Sequence, residues 1–254
     1  MKMITLQELT TWLQKKLNLN AYKDYAPNGL QVSGKERINT LVTGVTASQA
    51  LIDAAIEKKA DCLLVHHGYF WKGEDPCVVG IKYQRLKSLM EHGISLLGYH
   101  LPLDGHEEFG NNVQLAKLLG FKVRGEFDTG MGPNVGLTGE LSAPMTVESL
   151  CAHLEKNLNR APLYLPGNDR LIKTVAWCTG GGQDFIAAAA LAGVDAYLTG
   201  ECSERTTHIA RESEVHFFGC GHHATERYGV KSLGEHLANK FSLAHHFIDI
   251  DNPI

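Results

Sequence analysis

The chain has 254 residues, of which 44% are hydrophobic and 20% charged, with a formal net charge of -4 when histidine is neutral. That length accommodates one large domain or two lobes of about 100–130 residues each, with the composition of an ordinary globular protein. No basic face tracks a phosphate backbone and no long run of one charge occurs, so nucleic-acid binding is not favoured. The six cysteines include no C-x-x-C pair, which argues against a zinc ribbon or a thioredoxin-type centre.

In chain order, Met1 to Glu8 lacks an apolar signal core and runs into an amphipathic helix. Thr5-x-x-Glu8 has capping-box form, and Leu9, Leu13 and Leu17 form one stripe for burial. Ile38 to His67 reads as strand, small-residue turn, helix of about a dozen residues and strand, a βαβ unit with a right-handed crossover. It ends on His66-His67. A short strand, Ile94 to Gly98, leads to His100-Leu-Pro-Leu-Asp104, where Pro102 argues against a continuous helix. Asp128 to Gly139 is Gly-rich and reads as a connection or a loop. Thr146 caps a helix reaching Asn159.

Ile172 to Glu201 is a second βαβ unit. Between its first strand and its helix lies Thr179-Gly-Gly-Gly-Gln183, either a cradle of N–H groups for an anion or a simple tight turn. The strand Val215 to Cys220 leads to His222-His-Ala-Thr-Glu226, and a helical pattern follows through Leu233, Leu237 and Phe241. A final strand is expected at Phe247 to Ile250, so His245-His246 at its start reads as structural. The longest apolar run, Phe185 to Val194, is about ten residues, short of the ~20 a membrane helix needs. A cytoplasmic location with reduced thiols is the default expectation.

The chain also repeats itself. Ile38–His67 aligns without a gap on Ile172–Glu201, with identities that include Thr40/Thr174, Gln49/Gln183, Asp61/Asp195 and Leu64/Leu198. Thr5–Asn18 matches Thr146–Asn159 upstream, and His100/Asp104 matches His222/Glu226 downstream. Three collinear matches point to an internal duplication rather than chance likeness. The expectation is an α/β protein of two similar lobes, residues 1–125 and 140–254, joined by a link at 126–139.

In an open α/β sheet, ligands bind beyond the C-terminal ends of the parallel strands, where His66, His67 and Glu201 stand. Adjacent His66 and His67 suit two neighbouring metals better than the chelation of one. His222 and Glu226, four apart in a first helical turn, share one face. Three or four histidines with two carboxylates suit Zn, Fe or Mn better than Ca or Mg. The expected ligands are therefore His66, His67, Asp104, His222 and Glu226 in a site between the lobes. Asp104 has helix N-capping as its alternative. His100 is either a ligand or a proton-transfer residue behind the ligands. Glu201 is a ligand, a general base or a substrate contact. His223 is read as pointing elsewhere.

The segments YAPNGLQV (25–32), VTGVTAS (42–48), VHHGYFW (65–71), HLPLD (100–104), WCTGGGQ (177–183) and GHHATE (221–226) resemble the Nif-three-like family, also labelled the GTP cyclohydrolase I type 2 family. The resemblance spans essentially the whole chain. It implies two α/β lobes, two divalent metal ions per chain held by His66, His67, Asp104, His222 and Glu226 with His100 close by, and a toroidal homohexamer. The family label implies hydrolytic opening of the purine ring of GTP, a C–N hydrolysis in which Glu226, Glu201 or His100 would manage protons. A phosphoester or another cyclic amidine would use the same metals. The alternative is a non-catalytic metal-binding ring that captures a ligand or a partner protein.

Overall fold

The computed structural model describes residues 4–254. Met1–Met3, part of the segment read above as lacking a signal core, lie outside the described residues. The chain opens with β1 (Ile4–Thr5) and α1 (Leu6–Lys16). Thr5 caps the helix: its hydroxyl accepts from Glu8 N–H at 3.2 Å and its own N–H donates to the Glu8 carboxylate at 2.9 Å, the reciprocal box the sequence implied. Leu9, Leu13 and Leu17 are buried.

There follow β2 (Gly29–Val32), β3 (Arg37–Ile38), β4 (Thr40–Thr46), α2 (Gln49–Glu57), β5 (Cys62–His67), α3 (Gly80–Glu91) and β6 (Ser95–Gly98). A single helical turn, α4 (Leu101–Asp104), tolerates Pro102 because its N–H would have no helical acceptor there. Next come α5 (Asn111–Leu119), β7 (Lys122–Glu126), β8 (Leu137–Met145), α6 (Val147–Leu158), β9 (Leu163–Leu165), β10 (Ile172–Trp177) and α7 (Ile186–Leu191). The chain ends with β11 (Ala196–Thr199), α8 (Thr206–Glu212), β12 (His216–Gly219), α9 (His222–Phe241) and β13 (Ala244–Phe247). The dozen-residue helices expected in the βαβ units are shorter. α2 has nine residues, and α7 has six after a 3-10 turn at Gln183–Phe185. No helix among the described residues is long and apolar enough to cross a membrane.

The fold is α/β, in two compact units. The first takes the chain up to Leu103 together with Gly229–Asp251. Its five-stranded sheet has the order β13-β4-β5-β6-β2, parallel except for β2. Leu51, Ile52 and Ala55 of α2 pack on Val42, Leu63 and Val65. The second unit is Asp104–Tyr228 with Asn252–Ile254. Its six-stranded sheet has the order β7-β8-β10-β11-β12-β9, with β10, β11 and β12 parallel. Leu150, Leu154 and Leu158 of α6 pack there with Trp177, Leu198 and Phe218.

These units do not follow the expected lobe boundaries. The C-terminal strand β13 joins the first unit because it pairs in parallel with β4, Ala244 opposite Thr40 through Phe247 opposite Thr43. His245 and His246 are internal to this strand, and His245 Nε2 meets Thr43 Oγ1 at 2.8 Å, in keeping with a structural role. The expected link also differs. Most of Asp128–Gly139 joins β7 to β8, an antiparallel pair, so it is a hairpin connection inside the second sheet. Glycine serves a tight turn as readily as a linker.

The aligned aspartates do the same work in both units. Asp61 Oδ2 accepts from the N–H groups of Asn39 and Thr40, both at 3.0 Å. Asp195 Oδ2 accepts from those of Lys173 and Thr174 at 3.0 and 2.9 Å. Each ties the start of one parallel strand to the start of the next. Burial opposes their charge. Lys35 with the two N–H groups at Asp61, and the Thr174 and Lys173 donors at Asp195, outweigh it and hold both carboxyls below their ordinary value of 3.8. That stabilisation is fully present above the ordinary value and is lost as pH falls through the lowered folded one. Asp61→Ala and Asp195→Ala should each cost about 1–3 kcal/mol at neutral pH. Urea unfolding between pH 7 and pH 2 should show a shallower acid loss in each variant than in the parent, and equal profiles would refute the role.

Candidate metal centre

In the first unit, β5 ends on His66 and His67. Gly68 lets the chain turn there, because a Cβ at Gly68 would run into the side-chain amide of Gln31. Gln31 Oε1 accepts from Tyr69 N–H at 2.8 Å and so braces the turn. The two rings stand with centroids 4.5 Å apart. His100, just beyond β6, is the third member, 5.2 Å from His66 and 5.8 Å from His67 by ring centroid. One ring nitrogen of each of the three lies within 4.8 Å of the others.

The remaining nitrogens are anchored. His66 Nδ1 meets the Tyr99 carbonyl at 2.9 Å, His67 Nδ1 the Thr46 hydroxyl at 3.1 Å and His100 Nδ1 the Asp24 carboxylate at 2.8 Å. A carbonyl and an ionised carboxylate only accept, so Nδ1 of His66 and of His100 carries a proton, and in the neutral ring the lone pair is on Nε2. Burial works against the Asp24 charge, but His100, Asn28 and the Ala26 N–H hold it at about 2.

In the second unit, Asp104 is the last residue of α4 and buried. Its Oδ1 accepts from Asn111 Nδ2 at 2.8 Å and Thr179 Oγ1 at 3.3 Å. It is not the N-cap residue of α5, which is Gly110. His222 opens α9, and its Nε2 lies 3.0 Å from Glu226 Oε2 one turn on. Its Nδ1 meets Glu201 Oε1 at 2.6 Å. Burial would lower the His222 pKa, but Glu226 and Glu201 on its two nitrogens raise it to about 9. An imidazole between two carboxylates marks a place for positive charge, whether a proton or a divalent cation. Asp104 and Glu226, both buried, each present a carboxylate oxygen within 4.8 Å of the other.

The 179–183 segment is a tight turn built around Glu226. Gly180 N–H donates to Thr225 Oγ1 and Gly182 N–H to Thr199 Oγ1, both at 3.0 Å, so these two donors are spent internally rather than on an anion. Gly180 has φ +67°, and a Cβ there would strike Glu226 Oε1. Cys178 is outside the donor groups, and burial, with the charges of Asp104 and Glu226, pushes its thiol well above its ordinary value.

The sequence reading missed the anchors. Asp24, Asn28 and Gln31 lie in or beside the 25–32 segment, whose motif signalled family likeness but no role. His223 is outside the donor groups, and its N–H donates to the Ile254 carbonyl at 2.9 Å.

A family model described as Duf34/NIF3 (NGG1p interacting factor 3) matches residues 4–253. The chain belongs to the Duf34/NIF3 family. This Duf34/NIF3 chain is 53% identical over 250 residues to a protein of Pseudomonas aeruginosa named GTP cyclohydrolase 1 type 2 homolog, covering 98% of this chain and 99% of that one. A Yersinia pestis protein of the same name is 55% identical over 249 residues, covering 97% and 98%. Among solved structures, a protein ybgI described as of unknown function superposes with a TM-score of 0.94 at 51% identity, covering 99% of this chain and 100% of that one. A crystal structure from Thermus thermophilus gives 0.87 at 32% identity, covering 99% and 100%. The family expected from the motifs is thus established.

Two neighbouring glycines provide a test of the Glu226 packing. Gly180→Ala should lower stability by about 1–3 kcal/mol through a positive φ and the clash with Glu226. In Gly181→Ala the new methyl would sit 3.7 Å from His222 Cε1 and 3.8 Å from Glu201 Cδ, ordinary contacts, and thermal unfolding should be near parental. Equal stability of the two variants would contradict this packing.

Proposed function

We propose that this chain binds two divalent cations through His66, His67, His100, Asp104, His222 and Glu226. We further propose that it hydrolyses a nucleotide or related small molecule, with the C–N ring opening of GTP as the model reaction. The observation that carries the reading is the anchoring of Nδ1 in all four histidines, together with two buried carboxylates close to each other. Such a donor set suits Zn, Fe or Mn. It leaves Nε2 of each ring as the binding atom. The name GTP cyclohydrolase 1 type 2 homolog, borne by relatives over half identical, supports the substrate class. When bound, paired cations of this kind polarise a substrate and lower the pKa of water.

The chain's own residues then have distinct tasks. Glu226 is rigid and buried, suited to binding. Glu201 is more exposed and bonded to His222, so it orients that ring and can pass a proton between the ring and solvent. The assembly proposed is a homohexameric ring, and the exposed apolar residues Val79, Ile81 and Met90 offer surface for contacts between copies. A cytoplasmic location is part of the same proposal.

The experiment is to purify the chain, measure mass by light scattering and metal by plasma emission, and assay GTP, other nucleotides and phosphoesters with and without chelator. The expected outcome is six copies, about two metals per chain, and chelator-sensitive turnover. Glu226→Ala should reduce that turnover by more than the about 10–100-fold typical of losing a residue behind the ligands. Metal without turnover would overturn the hydrolase and leave a metal-binding scaffold. Absence of metal from both native and reconstituted protein would overturn the centre, and a monomer would overturn the ring.

A further inference from the structure

Asp24 is a buried carboxylate with four donors. Its Oδ1 accepts from His100 Nδ1 at 2.8 Å and Ala26 N–H at 2.9 Å, and its Oδ2 from Asn28 Nδ2 at 2.8 Å and Leu101 N–H at 2.9 Å. Asn28 Oδ1 in turn accepts from His100 N–H at 2.7 Å. The side chains of Asp24 and His100 are only 6% and 9% exposed. Tyr25 and Trp71 stand edge-on to the His100 ring, with centroids 5.2 and 5.0 Å away. These aromatic edges restrain the plane of the ring, and Asp24 sets which nitrogen is protonated. The aligned histidine His222 also has a carboxylate on Nδ1, but Glu201 is 38% exposed and open to water.

We propose that Asp24 is the positioning residue that makes His100 a metal ligand, holding a proton on Nδ1 so that Nε2 is the lone-pair donor of the neutral ring. The inference rests on the two-cation reading above. It keeps His100 in the ligand set, because a carboxylate on Nδ1 fixes the ring's orientation and tautomer and raises the basicity of Nε2. Asparagine at position 24 would break the arrangement without changing its shape. Every neighbour of both Asp24 oxygens is a donor, so the amide NH₂ must face one of them.

The test is the Zn²⁺ dissociation constant of the full folded chain, by competition with a chromophoric chelator. Asp24→Asn should weaken Zn²⁺ by about 10–100-fold. In the His100→Ala background the same change should alter it by less than about threefold, because its effect runs through that ring. An unchanged constant, or an equal loss in both backgrounds, would overturn the proposal, the second result making Asp24 a general loop brace. Should Asp24→Asn fail to fold, ¹⁵N spectra of the chelator-treated parent decide the matter. They should show His100 protonated at Nδ1, and protonation at Nε2 would overturn the role. Zn²⁺ uptake by the parent that Asp24→Asn leaves intact fails this inference alone, whereas a parent that takes up no Zn²⁺ fails the two-cation reading as well.

Discussion

A histidine that binds a cation through one ring nitrogen almost always has a partner on the other, which orients the ring. Four histidines of this chain have such a partner on Nδ1: a backbone carbonyl for His66, a hydroxyl, which can donate or accept, for His67, and carboxylates for His100 and His222. The anchors come from other parts of the chain, so the orientation of these rings depends on the fold being complete. β5 and β6 bring His66, His67 and His100 to one sheet end, where Asp24 holds His100 and Gln31 braces the turn after His67.

Close approach is the second constraint. Gln31 needs the missing side chain at Gly68, and the Glu226 carboxylate needs it at Gly180. In both places backbone is brought against a polar side chain at or beside the candidate centre. The stability lost by using glycine is offset by neighbouring hydrogen bonds, Tyr69 N–H to Gln31 in one unit and Gly180 N–H to Thr225 in the other.

Much of this was legible in the sequence for local reasons. The capping box at Thr5, the strand ends at His67 and Gly219, and the helical spacing of His222 and Glu226 follow from short-range pattern. The repeat located Asp61 and Asp195, whose matching hydrogen bonds support a duplicated origin for the two sheets. Long-range pairings were not legible. Asp24 lies 76 residues from His100, and Thr43 lies 202 residues from His245, and no periodicity links them. The Gly-rich 128–139 stretch misled because composition cannot distinguish a hairpin from a linker.

The placement of β13 has a consequence for how the protein is made. The first sheet keeps a bare edge on β4 until residues 244–247 arrive, after every other strand has been synthesised. An uncovered strand edge invites pairing with other chains, and contacts this distant in sequence form slowly. The N-terminal unit therefore cannot finish folding on the ribosome ahead of the rest. It waits for residues 244–247, and the period between exposure of β4 and arrival of β13 is when that strand edge is open to wrong pairing.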